Sequence, residues 1–168
     1  LYLWQQQGAA RWAEGGGLGG QGSGWTLAGR GDLDGNGRSD LVWRDGSGTL
    51  YAQLLGGTNG DITTLAPGQV LAGLGDTDGD GKADLVVVEA GSVTIRRMDG
   101  VATLSSTAVG GAALVSDWSV AAVADFNADL RADLLWRNSA TGDLYLWQMN
   151  GASVTAQATL GRFGTAWT

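Results

Sequence analysis

The sequence predicts an all-β protein, a β-propeller of four-stranded blades, with about three and a half blades in this chain. Three observations predict it. Short signatures recur at intervals of 44, 49 and 49 residues, each repeat holds four short β-prone segments, and Gly fills 30 of 168 positions against a single Pro. Glycine at that density breaks helices, at about 1 kcal/mol per interior position, and serves tight turns that need positive φ. No apolar run sustains the i, i+3, i+4 spacing of an amphipathic helix.

The chain opens on Leu1-Tyr2-Leu3-Trp4-Gln5, which returns as Leu144-Tyr145-Leu146-Trp147-Gln148. Residues 1–23 therefore read as the second half of a blade followed by a Gly-rich connector (Gly15 to Gly24), and three complete blades follow at 24–68, 69–117 and 118–166. Their first strands begin at Trp25-Thr26-Leu27-Ala28-Gly29, Gln69-Val70-Leu71-Ala72-Gly73 and Trp118-Ser119-Val120-Ala121-Ala122, and Trp167-Thr168 starts another unit. After each first strand come an acidic loop, an apolar run such as Leu85 to Val88, a Leu-Tyr-Leu-Trp-type segment and a last strand such as Val154 to Leu160. β-branched and aromatic residues bounded by Gly and Asp are strand signals. Four strands in roughly 45 residues is the size of a propeller blade. A sandwich or a β-solenoid offers the same strands, but solenoid coils are usually shorter and sandwiches need not repeat. Leu1 is not an initiator Met and the units start and stop within a repeat, so the expectation is a segment of a longer chain. Its ring is then completed by the remainder of that chain or by self-association, because an open blade edge is a template for strand addition.

Composition removes many chemistries. With no His and no Cys, the chain has no imidazole base, no thiol nucleophile, no disulfide and no zinc site built on those ligands. Ten basic residues against 17 acidic ones, with no basic run longer than Arg96-Arg97, argue against nucleic acid as a partner. No apolar stretch approaches the roughly 20 residues of a membrane helix. The Gly15–Gly24 run lacks the Gly-Lys-Ser/Thr ending of a phosphate cradle and leads into a strand.

The acids are concentrated between the first and second strands of the complete units. The three nonapeptides run Asp32 to Asp40, Asp76 to Asp84 and Asp125 to Asp133. Positions one, three, five and nine carry oxygen-bearing side chains: Asp32, Asp34, Asn36 and Asp40; Asp76, Asp78, Asp80 and Asp84; Asp125, Asn127, Asp129 and Asp133. A hard cation takes six to eight oxygens at about 2.3–2.6 Å, and the main-chain carbonyl of position seven (Arg38, Lys82, Arg131) adds to such a shell. Calcium is expected over magnesium because the loop is flexible and rich in carboxylates, and over transition metals because imidazole and thiolate are missing. An EF-hand would need Glu at position twelve, where this chain has Trp43, Val87 or Trp136. Three Ca²⁺ would bring the net charge from -7 to about -1 and relieve repulsion among ten loop carboxylates. In the third loop Ala128 and Leu130 replace the glycines of positions four and six, so weaker binding is expected there.

These loops, with the Asp-Leu-Leu-Trp-Arg type of strand after each, resemble the FG-GAP (VCBS-like) repeats of the integrin α-subunit propeller and of many secreted bacterial proteins. The resemblance implies calcium loops on one face of a propeller and partner contacts on the opposite face and rim. Phe163-Gly164 echoes the Phe-Gly of the family name, whereas Ala66-Pro67-Gly68 echoes its second half only distantly. The function expected is therefore a non-catalytic, calcium-dependent adhesion or binding module for a protein or glycan, outside the cell or at its surface, where calcium is abundant. An accessory domain of a secreted hydrolase and a lectin are the alternatives. Of eight Trp residues, Trp25, Trp118 and Trp167 share one repeat position, Trp43 and Trp136 another, Trp4 and Trp147 a third, which suits packing between blades. Trp12 has no repeat mate and is the candidate for stacking on a sugar. Arg44 and Arg137 are expected to anchor neighbouring loops.

Overall fold

The computed structural model describes residues 2–7, 10–17, 22–110 and 117–164, with strand pairing alone for the first two segments. Trp167, the middle of the Gly-rich stretch, and the side chains of Trp4 and Trp12 lie outside the described residues. The strands are β1 (Tyr2–Gln7), β2 (Ala10–Gly17), β3 (Trp25–Gly31), β4 (Asp40–Asp45), β5 (Thr49–Gln53), β6 (Gly60–Thr64), β7 (Gln69–Gly75), β8 (Asp84–Glu89), β9 (Ser92–Asp99), β10 (Ala102–Ala108), β11 (Trp118–Ala124), β12 (Asp133–Asn138), β13 (Asp143–Asn150) and β14 (Ser153–Arg162). Among the described residues there is no helix, and hence none long and apolar enough to cross a membrane.

Every strand pairs with its neighbour in sequence. The hairpin β1-β2 stands as a two-stranded sheet, and β3 to β6, β7 to β10 and β11 to β14 each form a four-stranded antiparallel sheet. This up-and-down order is that of a propeller blade. The Gly-rich stretch departs from the expected connector: β2 runs on to Gly17, and Gly15, Gly16 and Gly17 pair with Trp4, Leu3 and Tyr2. A glycine still offers the main-chain donor and acceptor that a ladder needs.

The three four-stranded sheets stack face to face, and the period of two along each strand decides which neighbour a side chain meets. On β8, Leu85 and Val87 join Val42, Leu50 and Ala52 of the preceding sheet in one buried cluster. Val86 and Val88 on the same strand join Leu134 and Trp136 of the following sheet in another. Burial on both faces explains why β8 is an unbroken apolar run, unlike β4 and β12 with their arginines. Each fully buried Leu or Val contributes about 1.5–3 kcal/mol, so these two interfaces dominate the cohesion of the array.

Trp136 and Trp147 fill the second interface, 0% and 4% exposed, with ring centroids 5.0 Å apart. Trp118 meets Tyr145 edge to face, and Trp25 meets Tyr51 in the same way at the equivalent positions two repeats earlier. Arg137 reaches the carbonyl of Gly164 at 3.4 Å. The first strands also touch one another, β3 against β7 and β7 against β11. Each carries an irregularity at the same place, between Leu27 and Gly29, Leu71 and Gly73, and Val120 and Ala122.

Candidate metal centres

Each acidic loop joins the first strand of a sheet to the second, and the same hydrogen bonds shape all three. The first aspartate caps the curl. Asp32 accepts from the N–H groups of Gly35 (2.8 Å), Asn36 (3.1 Å) and Gly37 (2.7 Å). Asp76 accepts from Gly79, Asp80 and Gly81, and Asp125 from Ala128, Asp129 and Leu130. The fifth residue then accepts from the N–H of the seventh, each at 2.9 Å: Arg38 to Asn36, Lys82 to Asp80, Arg131 to Asp129.

Positions four and six have positive φ throughout, at Gly35 and Gly37 and at Gly79 and Gly81. Ala128 and Leu130 are forced into the same region, at 64° and 68°. A side chain there costs about 1–2 kcal/mol, against about 0.5–1 kcal/mol of backbone entropy that glycine loses on folding. Leu130 is 81% exposed and gains little packing in return. Leu130→Gly is therefore expected to raise stability by about 0.5–1 kcal/mol, read as a higher urea midpoint at unchanged slope. A lower midpoint would show that the third loop holds its curl without strain.

The ninth residue is buried. Asp40, Asp84 and Asp133 are all 0% exposed, and each spends both oxygens on the main chain. Asp40 accepts from Leu33 N–H and from Leu55 N–H beyond β5, both at 2.8 Å. Asp84 accepts from the N–H and hydroxyl of Thr77 and from Met98 N–H, and Asp133 from the N–H groups of Phe126 and Met149. Burial raises the Asp40 and Asp84 carboxyls above the ordinary carboxylate range, against the lowering effect of these bonds. A raised folded-state pKa means that the ionised form is disfavoured by folding, a penalty present above that pKa and relieved by an adjacent cation.

In the first two loops three carboxylates converge: ligand atoms of Asp32, Asp34 and Asp40, and of Asp76, Asp78 and Asp84, lie within 4.8 Å of one another. The donors are all oxygen, which suits a hard cation. Gly57 leaves the first site room, since a Cβ there would stand 2.7 Å from Asp34 Oδ2. Among the described residues the third loop gathers no such group of three. Instead the Asn127 amide donates to Asp129 at 3.1 Å, and Arg131 lies 4.0 Å from the same carboxylate.

The loops also stitch the sheets together. Ala83 N–H donates to Asp32 O (2.6 Å) and Gly100 N–H to Leu33 O (2.8 Å), and Ala132 and Gly151 repeat the pair on Asp76 O and Thr77 O. The basic side chain at position seven lies along the glycine of the preceding loop, Lys82 over Gly35 and Arg131 over Gly79. One residue that the loop pattern does not flag belongs to the second centre. Arg97 on β9 forms ion pairs with Asp78 and, at 3.0 Å, with Asp80. Its presence is hinted only by the Arg96-Arg97 pair in a strand otherwise poor in charge.

Stacked four-stranded meanders, each with an acidic loop between its first two strands, define a β-propeller repeat protein. Residues 76–136, from the second acidic loop through the third and into β12, match the model of the FG-GAP-like repeat, so the chain carries a repeat of that family. A chain of the Photorhabdus luminescens Tc holotoxin pore is similar in structure, with a TM-score of 0.56 and 24% identity over 83% of this chain and 7% of that chain. That likeness is one of fold. A search of curated proteins found no match.

Away from the loops, a groove of about 370 Å³ is lined by Trp118, Asp143, Tyr145 and Thr159. Its acid is engaged: Asp143 accepts from Arg162 at 2.8 Å and from the Thr141 hydroxyl at 2.5 Å.

Proposed function

We propose that the chain is a non-catalytic calcium-binding propeller segment that presents its rims to a protein partner outside the cytosol. The observation that carries this reading is the convergence of three carboxylates in each of two equivalent loops, one of the three fully buried. Asp32, Asp34 and Asp40 would hold one Ca²⁺, with Asn36 and the Arg38 carbonyl as further donors. Asp76, Asp78 and Asp84 would hold another, with Asp80 and the Lys82 carbonyl. A third, weaker site in the Asp125–Asp133 loop would have Asp125 and Asp133 with the Asn127 side-chain oxygen in place of a third carboxylate, and Asp129 and the Arg131 carbonyl as further donors.

The ion's part is structural: it neutralises acids on loops whose carbonyls already bind the next sheet. Calcium sites of moderate affinity fill where the ion is millimolar, which supports an extracellular or cell-surface setting. The similar region is only 7% of the toxin chain, which supports a role as one module of a larger protein. A protein partner is preferred to a glycan because the acid of the aromatic groove is already paired.

Thermal unfolding in excess calcium and in chelator tests the reading. A ligand held only by the native state adds about 2.7 kcal/mol per site at a hundredfold excess over Kd. Two sites should then raise Tm by about 10–20 °C, at roughly 2–4 °C per kcal/mol for a chain of this size. Superimposable melts in the two buffers would refute calcium binding.

A further inference from the structure

We propose that Arg97 is a resident counter-cation of the second loop, a built-in competitor that weakens calcium binding at this centre. The inference rests on the calcium reading above and adds the regulation of one of its sites. The guanidinium bridges the third and fifth residues of the loop, pairing through Nε with Asp78 and through Nη2 with Asp80 at 3.0 Å. These are two of the carboxylates that a bound ion would require.

The register shows that the arrangement is particular to this sheet. The N–H groups of Leu55, Met98 and Met149 all bond the ninth aspartate of their own loop, so the residues before them, Leu54, Arg97 and Gln148, are equivalent. Only Arg97 of these is charged. The charges also match. The second loop has Asp80 where the first has Asn36, one acid more, and Arg97 offsets it. Of the other cations nearby, Lys82 is committed to Asp99 at 2.8 Å, and Arg131, which lies over Gly79, turns its Nε to the main-chain carbonyl of Asp78 at 3.4 Å.

The pair is partly open to solvent, with Arg97 40%, Asp78 17% and Asp80 29% exposed, so the guanidinium can be displaced. Displacement nevertheless opposes calcium entry by the worth of two screened ion pairs, about three- to tenfold in affinity.

Calorimetric titration of the chain with calcium chloride tests this, using Arg97→Gln and Arg97→Lys, each also in an Asp34→Ala background that silences the first loop. Arg97→Gln should tighten the second-loop site about three- to tenfold, and Arg97→Lys, which keeps the charge, should tighten it less. Unfolding supplies a second readout: Arg97→Gln should lower Tm in chelator and lose that deficit in saturating calcium. Unchanged or weaker calcium binding in Arg97→Gln would overturn the competitor role and leave the calcium reading standing. No calcium heat in any variant, the unsubstituted chain included, would instead overturn that reading.

Discussion

Asp84→Ala is expected to cost about 3 kcal/mol in chelator, before any metal effect enters. The residue is 0% exposed, and its carboxylate holds Thr77 N–H (3.2 Å), the Thr77 hydroxyl (2.5 Å) and Met98 N–H (3.1 Å). Alanine leaves these donors facing a void, and each buried donor without a partner costs about 1–3 kcal/mol. Relief of the desolvated charge offsets part of the loss. The comparison that gives the measurement meaning is Asp34→Ala. The Asp34 carboxylate receives only the Asn36 N–H at 3.2 Å within its loop. Its removal should cost less than about 1 kcal/mol in chelator and yet abolish the calcium increment of the first loop. Urea unfolding of both variants, with and without calcium, separates a ninth aspartate that latches loop to sheet from a third that serves the ion. Equal losses in chelator would dissolve the distinction.

That division of labour was only half legible in the sequence. The nine-residue spacing is local, so the positions of the carboxylates could be read directly, and the structure gathers the first two sets. What the ninth aspartate binds could not be read, because its partners at Leu55, Met98 and Met149 are main-chain N–H groups across a hairpin. Any residue type supplies an N–H. The same limit hid Arg97, whose link to Asp78 depends on the β8-β9 register. The third loop was legible in this respect: Asn127 stands where the first two loops have Asp34 and Asp78, so its positions one, three and nine hold two carboxylates instead of three. Repeat position alone also misjudged burial. Trp136 is fully enclosed by the preceding sheet, whereas Trp43, at the same position of the first complete blade, is only half-buried and donates its indole N–H to Gln53.

Gly75→Ala is expected to destabilise the chain by about 2 kcal/mol, a large effect for one methyl group. The reason is space, not backbone freedom. Gly75 ends β7, the strand that meets β11 of the next sheet, and a Cβ on it would stand 2.5 Å from the Ala132 Cβ and 3.0 Å from Val123 Cγ1. Both neighbours are short or branched side chains on packed strands or loops, so neither can swing aside. Gly31 repeats the fit one sheet earlier, where a Cβ would stand 2.6 Å from the Ala83 Cβ. At the corresponding end of β11 the chain has Ala124, which is exposed among the described residues and already carries the methyl group. Two variants isolate the cause. Ala124→Gly should cost only the backbone entropy of glycine, about 0.5–1 kcal/mol. Ala132→Gly should rescue part of the Gly75→Ala loss, because it removes the atom that the new methyl group meets, giving a coupling of about 1 kcal/mol in a double-mutant cycle. Independent, additive effects at positions 75 and 132 would mean that successive sheets do not approach along their first strands, and the radial stacking from which both metal loops take their places would have to be abandoned.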